Sequence, residues 1–197
     1  KHFSITSTQD VEQIIQPIKK LGINFFSYLR IYPEGTFTVL INQAKWHKHF
    51  SGLELPGSLS FSDLKTGIYL WQDISHPQVV TDARNYFNID NLIDFVYSDK
   101  TYIEIFSFGT PKTQQAMLSF YFNNLDILQR FIDYFKTQSF DLFKQADKGR
   151  LLFPTHMTTN TNFNAPDFSE NQRIDLLMSI RAIKKHHHLT EKELCCL

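Results

Sequence analysis

The sequence predicts an α+β protein in which an antiparallel sheet of about five strands is flanked by helices. Two strand-like segments joined by a short turn occur twice, within 24–41 and within 92–108. Segments with apolar residues at helical spacing precede, separate and follow these hairpins. The order helix, hairpin, helix, strand, helix, hairpin, long helix has too few crossovers for a parallel sheet, and it favours helices packed around an antiparallel one.

The first helix is predicted to follow Ser7 or Thr8, either of which can cap it, and to end at Gly22. Pro17 lies inside this segment, so we expect a kinked helix or two shorter pieces. The apolar residues recur every three or four positions: Val11, Ile14, Ile15, Ile18 and Leu21.

The first hairpin is predicted from an aromatic and branched segment, 24–32, and a returning segment, 36–41. Pro33-Glu34-Gly35 supplies the turn between them. Asn42 is predicted to cap a short helix over 43–50.

A loop is expected over 52–66, followed by a short strand over 67–71. Pro77 stands where a first helical turn tolerates proline, and a helix is predicted after it. The second hairpin pairs 92–98 with 101–108.

One long helix is predicted over 113–145, with a break at Asn123-Asn124. Beyond Gly149 the composition becomes rich in Thr, Asn and Pro, which is typical of a linker. Ser169 and Gln172 form a capping-box pair at the start of a further helix. We therefore expect a sensory domain over 1–150, a linker with one helix over 151–188, and the start of another domain over 189–197.

Composition argues against several classes of function for this part of the chain. Lys plus Arg equals Asp plus Glu at 20 each, whereas a domain that grips DNA phosphates usually has a basic surplus. The two cysteines are adjacent, so no disulfide framework is expected, and no apolar run approaches the length of a membrane span. We expect a cytoplasmic protein that is not an enzyme, because no catalytic motif is present, and one without cofactor or metal.

The C-terminal residues carry the most specific pattern. Thr190 and Glu193 form a capping box, and Leu189, Lys192 and Leu197 stand at fixed spacing around it. This string resembles the opening of the helix-turn-helix domain of LuxR-type transcription regulators. The resemblance implies a homodimeric regulator that contacts DNA through a C-terminal domain of which 189–197 is only the beginning.

The preceding part resembles the autoinducer-binding domain of that family, an α/β/α sandwich of PAS-like type. Trp46 and Phe50 have the spacing of the family's Trp and Tyr, Leu55-Pro56 stands at its Asp-Pro, and Trp71 stands near its second Trp. The resemblance implies a pocket in which aromatic rings enclose a small apolar signal.

The departures from the family pattern concern polar contacts. Phe50 lacks the tyrosine hydroxyl and Leu55 lacks the carboxylate, although Glu54 is adjacent. We therefore expect a small apolar signal other than an acyl-homoserine lactone, or none. The candidate ligand-binding residues are Trp46, Phe50, Trp71, Tyr28, Tyr102, Ser107 and Glu54.

Two alternatives remain open from the residues alone. One is a PAS- or GAF-like sensor that holds a cofactor, such as a haem bound through His47, His49 or His76. The other is an orphan regulator whose sheet domain binds no ligand and serves only for dimerisation. A visible absorption spectrum separates the first alternative, and a search for bound small molecules separates the second.

Overall fold

The structure is a computed structural model that describes residues 2–53, 64–114 and 116–152. All of these residues belong to one compact unit, Lys1–Thr161. Glu54, Leu55-Pro56, the predicted linker helix and the residues 189–197 lie outside the described residues. Within the described part, no helix has the length and hydropathy that a membrane-spanning helix needs.

A six-stranded antiparallel sheet forms the centre of the described unit and confirms the predicted fold class. Its strands follow the order β3-β4-β5-β1-β2-β6 across the sheet. Their bounds along the chain are β1 Phe25–Ile31, β2 Thr36–Ile41, β3 Gly67–Leu70, β4 Asp90–Ser98, β5 Ile103–Thr110 and β6 Leu151–Leu152.

Helices pack on both faces of the sheet. They are α1 Phe3–Thr6, α2 Thr8–Ile14, α3 Gln16–Lys19, α4 Ala44–Ser51, α5 Trp71–Ile74, α6 Pro77–Phe87, α7 Met117–Asn123, α8 Leu125–Gln138 and α9 Phe140–Lys148. α2, α3, α7, α8 and α9 bury apolar side chains against one face, and α4, α5 and α6 lie on the other.

Both predicted hairpins are present. β1 pairs with β2, and β4 pairs with β5, while β5 and β1 join the two hairpins at the middle of the sheet. The first predicted helix is divided at Ile15 into α2 and α3, with Pro17 in the first turn of α3. That division confirms the expected effect of the proline.

Three local predictions differ from the structure. Asn42 does not cap α4, which begins after Gln43, because its side chain instead bonds the backbone N–H of Phe26 and the carbonyl of Asn24. Trp71 begins α5 rather than ending β3. The helix predicted over 113–145 begins only at Met117; its predicted break at Asn123-Asn124 is confirmed, but a further bend at Ser139, which the sequence does not predict, divides the remainder into α8 and α9.

A sixth strand also exceeds the expected five. Leu151 and Leu152 pair with Phe37 and Thr36 and extend the sheet beyond β2. These two residues fall in the segment that the composition assigns to the linker.

Side chains alternate between the two faces of the sheet, as the strand repeat requires. The core face carries Phe26, Tyr28, Leu40, Phe106 and Phe108 among others, and it is covered by a continuous buried cluster. The opposite face, called the cavity face below, carries a smaller cluster that includes Phe25, Val39, Ile41 and Leu92.

Candidate functional site

A cavity of about 270 Å³ lies on the cavity face of the sheet, under α4 and α5. Its walls are mainly apolar and come from four strands of the sheet centre, from both helices and from β6. The lining residues are Phe25, Ser27, Leu29, Phe37, Val39, Ile41, Trp46, His47, Phe50, Ser51, Trp71, Ile74, Ser75, Leu92, Asp94, Ile105, Ser107, Leu151 and Leu152.

An aromatic cluster on α4 and α5 forms the roof of the cavity. Trp46 and Phe50 are four residues apart on α4, so they lie on one face of the helix, with ring centroids 5.8 Å apart. Trp71 at the start of α5 meets Trp46 edge-on, at 6.0 Å and an interplanar angle of 75°. Phe87 at the end of α6 contacts Trp46 from behind, at 5.2 Å. These contacts fix the roof by packing.

The floor of the cavity carries a row of polar side chains across three neighbouring strands. Ser27 on β1 is paired with Ser107 on β5, and Ser107 is paired with Asp94 on β4. Paired residues of antiparallel strands lie side by side on the same face. The adjacent row on the same face is apolar and consists of Leu29, Ile105 and Val96.

Asp94 is the buried ionisable group of this row. Its exposed fraction is 2%, and its Oδ1 has no hydrogen-bond partner among the described residues. Burial raises the pKa of the Asp94 carboxyl to about 7, and a hydrogen bond with the Ser107 side chain offsets only part of that effect. The cavity floor therefore holds a carboxyl group that takes up a proton far more readily than an exposed aspartate does.

His47 is the second ionisable group in the wall. Its Nε2 lies 3.0 Å from Oγ of Ser4 on α1, and burial together with the nearby His2 lowers the pKa of His47. The imidazole is therefore neutral at pH 7. His49, two positions further along α4, instead pairs with Asp82 on α6 at 2.8 Å.

Gly109 on β5 lies against two side chains that line the cavity. A Cβ atom at this position would stand 3.1 Å from Cγ of Leu92 and 3.2 Å from Cδ1 of Phe25. A larger residue would therefore displace these two side chains slightly, which the glycine avoids.

Four of the seven predicted ligand-binding residues line the cavity, namely Trp46, Phe50, Trp71 and Ser107. Two do not. Tyr28 lies on the core face, where its hydroxyl donates to Oε1 of Glu104 at 2.7 Å. Tyr102 precedes β5, and its ring centroid lies 4.4 Å from Cζ of Arg30.

The remaining candidate, Glu54, lies outside the described residues. Of the three histidines proposed as haem ligands, His47 lines the cavity. His49 pairs with Asp82, and Nδ1 of His76 accepts from the backbone N–H of Gln78 at the start of α6. No group of three or more His, Cys, Asp or Glu side chains within the described ranges could hold a metal ion.

Comparison with known proteins finds likeness in structure but not in sequence. No protein-family model matches the chain, and no curated protein matches it. The crystal structure of Escherichia coli SdiA, a LuxR-type quorum-sensing regulator, superposes with a TM-score of 0.50 and 13% identity over 95% of this chain and 79% of that one. The complex of SdiA with octanoyl-rac-glycerol gives a TM-score of 0.45 and 11% identity, over 94% and 77%.

At these identities the likeness is one of fold. The α+β fold with its open antiparallel sheet is the fold of the SdiA autoinducer-binding domain. This agrees with the architecture that the order of elements predicts and that the family resemblance implies.

Two lining residues, Asp94 and Ser27, are not among the candidates that the sequence predicts, and His47 is a candidate only in the cofactor-binding alternative. The available signal was one polar residue flanked, at alternate positions, by apolar residues or glycine in each of three strands: Ser27 between Phe25 and Leu29, Asp94 between Leu92 and Val96, and Ser107 between Ile105 and Gly109. Only the strand register shows that these residues form one row.

Proposed function

We propose that this chain is the sensory domain of a LuxR-type transcription regulator and that it binds a small apolar molecule in the cavity between the sheet and α4. The main support for this proposal is the cavity itself. Its walls are mainly apolar, with aromatic side chains on one side and a few polar groups on the other. Binding sites for small molecules have this composition. The fold of the SdiA domain supports the same assignment.

The size of the cavity sets the size of the ligand. A buried apolar cavity of about 150 Å³ holds benzene, so about 270 Å³ accommodates a larger molecule, such as a short acyl chain or a ring with substituents. Burial of apolar surface against Trp46, Phe50 and Trp71 would supply most of the binding free energy.

The ligand is proposed to differ from an acyl-homoserine lactone. Phe50 has no hydroxyl to offer to a lactone or amide carbonyl, and Leu55 has no carboxylate to accept from an amide N–H. The polar groups of this cavity lie on the floor instead.

The regulatory part of the proposal rests on the tail and on an exposed helical surface. Leu189, Thr190, Lys192, Glu193 and Leu197 have the spacing that opens a LuxR-type helix-turn-helix, which would contact DNA in the cytoplasm. Large apolar side chains are exposed on α7, α8 and α9: Phe122, Ile127, Tyr134 and Phe140. Such a patch supports dimerisation through these helices. Ligand binding would shift the population of dimers that are competent to bind DNA.

The test is native mass spectrometry of the protein purified from its own host, compared with two matched variants. Ser27→Leu places an apolar side chain in the middle of the cavity floor, whereas Ser119→Leu makes the same change at an exposed position on α7. We expect a bound small molecule in the wild type and in Ser119→Leu, and its loss from Ser27→Leu.

A wild-type protein that carries no molecule and shows no thermal shift with any compound of an apolar library would contradict the proposal. That result would favour the ligand-free dimerisation module. A coloured preparation with a haem or flavin spectrum would favour the cofactor-binding sensor instead.

A further inference from the structure

The polar row on the cavity floor is the feature that apolar binding alone does not explain. We propose that Asp94 is the polar recognition group of the site and that the ligand is an uncharged apolar molecule bearing a hydroxyl group. This inference rests on the proposed function of the cavity and names the chemical class of its ligand.

Asp94 has unused hydrogen-bonding capacity at the wall of the cavity. It is almost fully buried, it lines the cavity, and its Oδ1 has no partner among the described residues. Buried carboxyl oxygens are nearly always hydrogen-bonded, because the unsatisfied group bears its full desolvation cost. A ligand group that reaches Oδ1 would remove that cost.

The fold does not need a carboxyl group at this position. The neighbours of Asp94 along β4 on the same face are Leu92 and Val96, and an aliphatic side chain would continue their apolar surface. A buried polar atom without a hydrogen-bond partner costs the folded state its desolvation free energy, and an aliphatic side chain would not carry this cost. The residue is therefore better explained by recognition than by packing.

The lining residues limit the charge that a ligand can carry. The described lining residues include no Lys or Arg, and the one basic side chain among them, His47, is neutral. An anionic ligand would meet Asp94 without a compensating cation. A cationic ligand would have a single carboxylate as its partner in an apolar cavity, and the desolvation cost of such a pair can exceed its attraction.

Among uncharged groups, a hydroxyl fits Asp94 in either protonation form. Burial raises the pKa of Asp94, so a ligand can meet either the carboxylate or the protonated acid, according to the pH. A hydroxyl can donate to the carboxylate and can also accept from the protonated acid. An ether or ester oxygen can only accept, so it complements only one of the two forms. Ser107 and Ser27 continue the row and offer further hydroxyl partners.

The experiment compares 1-octanol with its isomer 1-methoxyheptane, because the two probes share composition and differ in the O–H donor. Affinities are measured by isothermal titration or by ligand-observed NMR at pH 7 for the wild type, Asp94→Asn and Asp94→Leu. In the wild type we expect 1-octanol to bind about tenfold more tightly than the ether, as a net hydrogen bond of this kind allows. Asp94→Asn keeps a donor and an acceptor and should keep the preference. Asp94→Leu should bind both probes equally.

The binding of 1-methoxyheptane to Asp94→Leu also reports that the variant cavity is intact. Equal affinities of the wild type for the two probes would overturn the role of Asp94 while leaving the proposed apolar cavity in place. A preference that survives in Asp94→Leu would overturn it as well. Tighter binding of octylammonium or of octanoate than of 1-octanol would overturn the uncharged class. Failure of all four probes to bind the wild type would count against the proposed function itself.

Discussion

The two faces of the sheet are built from the same strands but have different interiors. On the core face, the ring centroid of Phe26 lies 4.5 Å from that of Phe135 and 5.3 Å from that of Phe108. Side chains of helices α7, α8 and α9 complete this filled cluster. On the cavity face, α4 and α5 stand above a space of about 270 Å³. One face is filled by its own side chains, and the other leaves room for a second molecule.

A strand residue on each face is a buried carboxyl group, and the two groups differ in their partners. On the core face Glu104 accepts from the Tyr28 hydroxyl at 2.7 Å, from Nζ of Lys136 at 2.8 Å and from Arg30 at 3.1 Å. Burial alone would raise the pKa of Glu104, but these three donors outweigh it and the pKa is lowered. On the cavity face, the partner of Asp94 among the described residues is Ser107, its Oδ1 is unpaired, and its pKa is raised.

The difference between Glu104 and Asp94 separates a structural role of a buried carboxyl group from a binding role. A buried carboxylate with three donors stabilises one conformation of the core. A buried carboxyl group with an unused oxygen beside an empty space is poorly satisfied by the protein alone, and it gains a partner when a ligand is bound.

The largest expected effect comes from truncating one leucine on each face. Leu40→Ala on the core face opens a new void in a fully packed region and should lower the free energy of unfolding by about 3–5 kcal/mol. Leu29→Ala on the cavity face enlarges a space that already exists, and should cost about 1–2 kcal/mol. Urea unfolding of both variants measures the contrast. Equal losses would mean that the cavity collapses in solution.

The pH dependence of stability should identify Asp94. Its pKa is 3.8 when unfolded and about 7 when folded, so the folded protein retains a proton that the unfolded chain releases between these values. Its contribution to stability is complete below pH 4 and is lost as the pH rises to 7, a loss of about 4 kcal/mol. Asp94→Asn should therefore gain about this much relative to the wild type between pH 4 and pH 8.

Asp133→Asn is the matched control, because Asp133 is exposed on α8. Stability curves of the control and of the wild type should run parallel over this range. An Asp94→Asn curve that also runs parallel to the wild type would show that Asp94 is hydrated in solution.

The effect of Glu104→Gln on the free energy of unfolding should have the opposite pH dependence. The lowered pKa of Glu104 means that its contribution is present above its ordinary value of 4.5 and is lost as the pH falls through the folded value. We expect a loss of about 1–3 kcal/mol at pH 7, because the charge on the acceptor of three hydrogen bonds is removed. Thermal unfolding at pH 7 and at pH 3 measures the difference, which should shrink at the lower pH. A constant difference would contradict the assignment of a charged Glu104.

The smallest expected effect is that of Ser107→Ala. The Ser107 hydroxyl lowers the pKa of Asp94 against the larger effect of burial, so its removal should raise that pKa further. The loss of one hydrogen bond should cost about 0.5–1.5 kcal/mol at pH 5, where Asp94 is protonated in the folded protein. Carboxyl ¹³C chemical shifts followed with pH give the pKa directly. A lower pKa in the variant would refute the Asp94–Ser107 contact.

Much of this fold could be predicted from the sequence, because its signals are local. Alternation and turn residues predict both hairpins, and Pro17 predicts the division of the first helix. The bend at Ser139 and the strand Leu151–Leu152 have no comparable signal, since both depend on contacts with β1 and β2 that only the folded sheet provides.

Only about half of the candidate site could be predicted from the sequence, for a similar reason. The four-residue spacing of Trp46 and Phe50 is visible in the sequence, whereas the row of Ser27, Ser107 and Asp94 depends on strand register. Tyr28 and Ser27 are adjacent and point to opposite faces, and nothing within β1 tells which face contains the cavity.

The short strand β6 forms one wall of the cavity at the edge of the described sheet. Leu151 and Leu152 touch the cavity, and they are held to the sheet by pairing with only two residues of β2. A molecule that presses on these leucines, or fills the space beside them, therefore acts on the strand with the fewest backbone partners. We expect the pairing of β6 with β2, rather than that of the central strands, to respond when the cavity is filled.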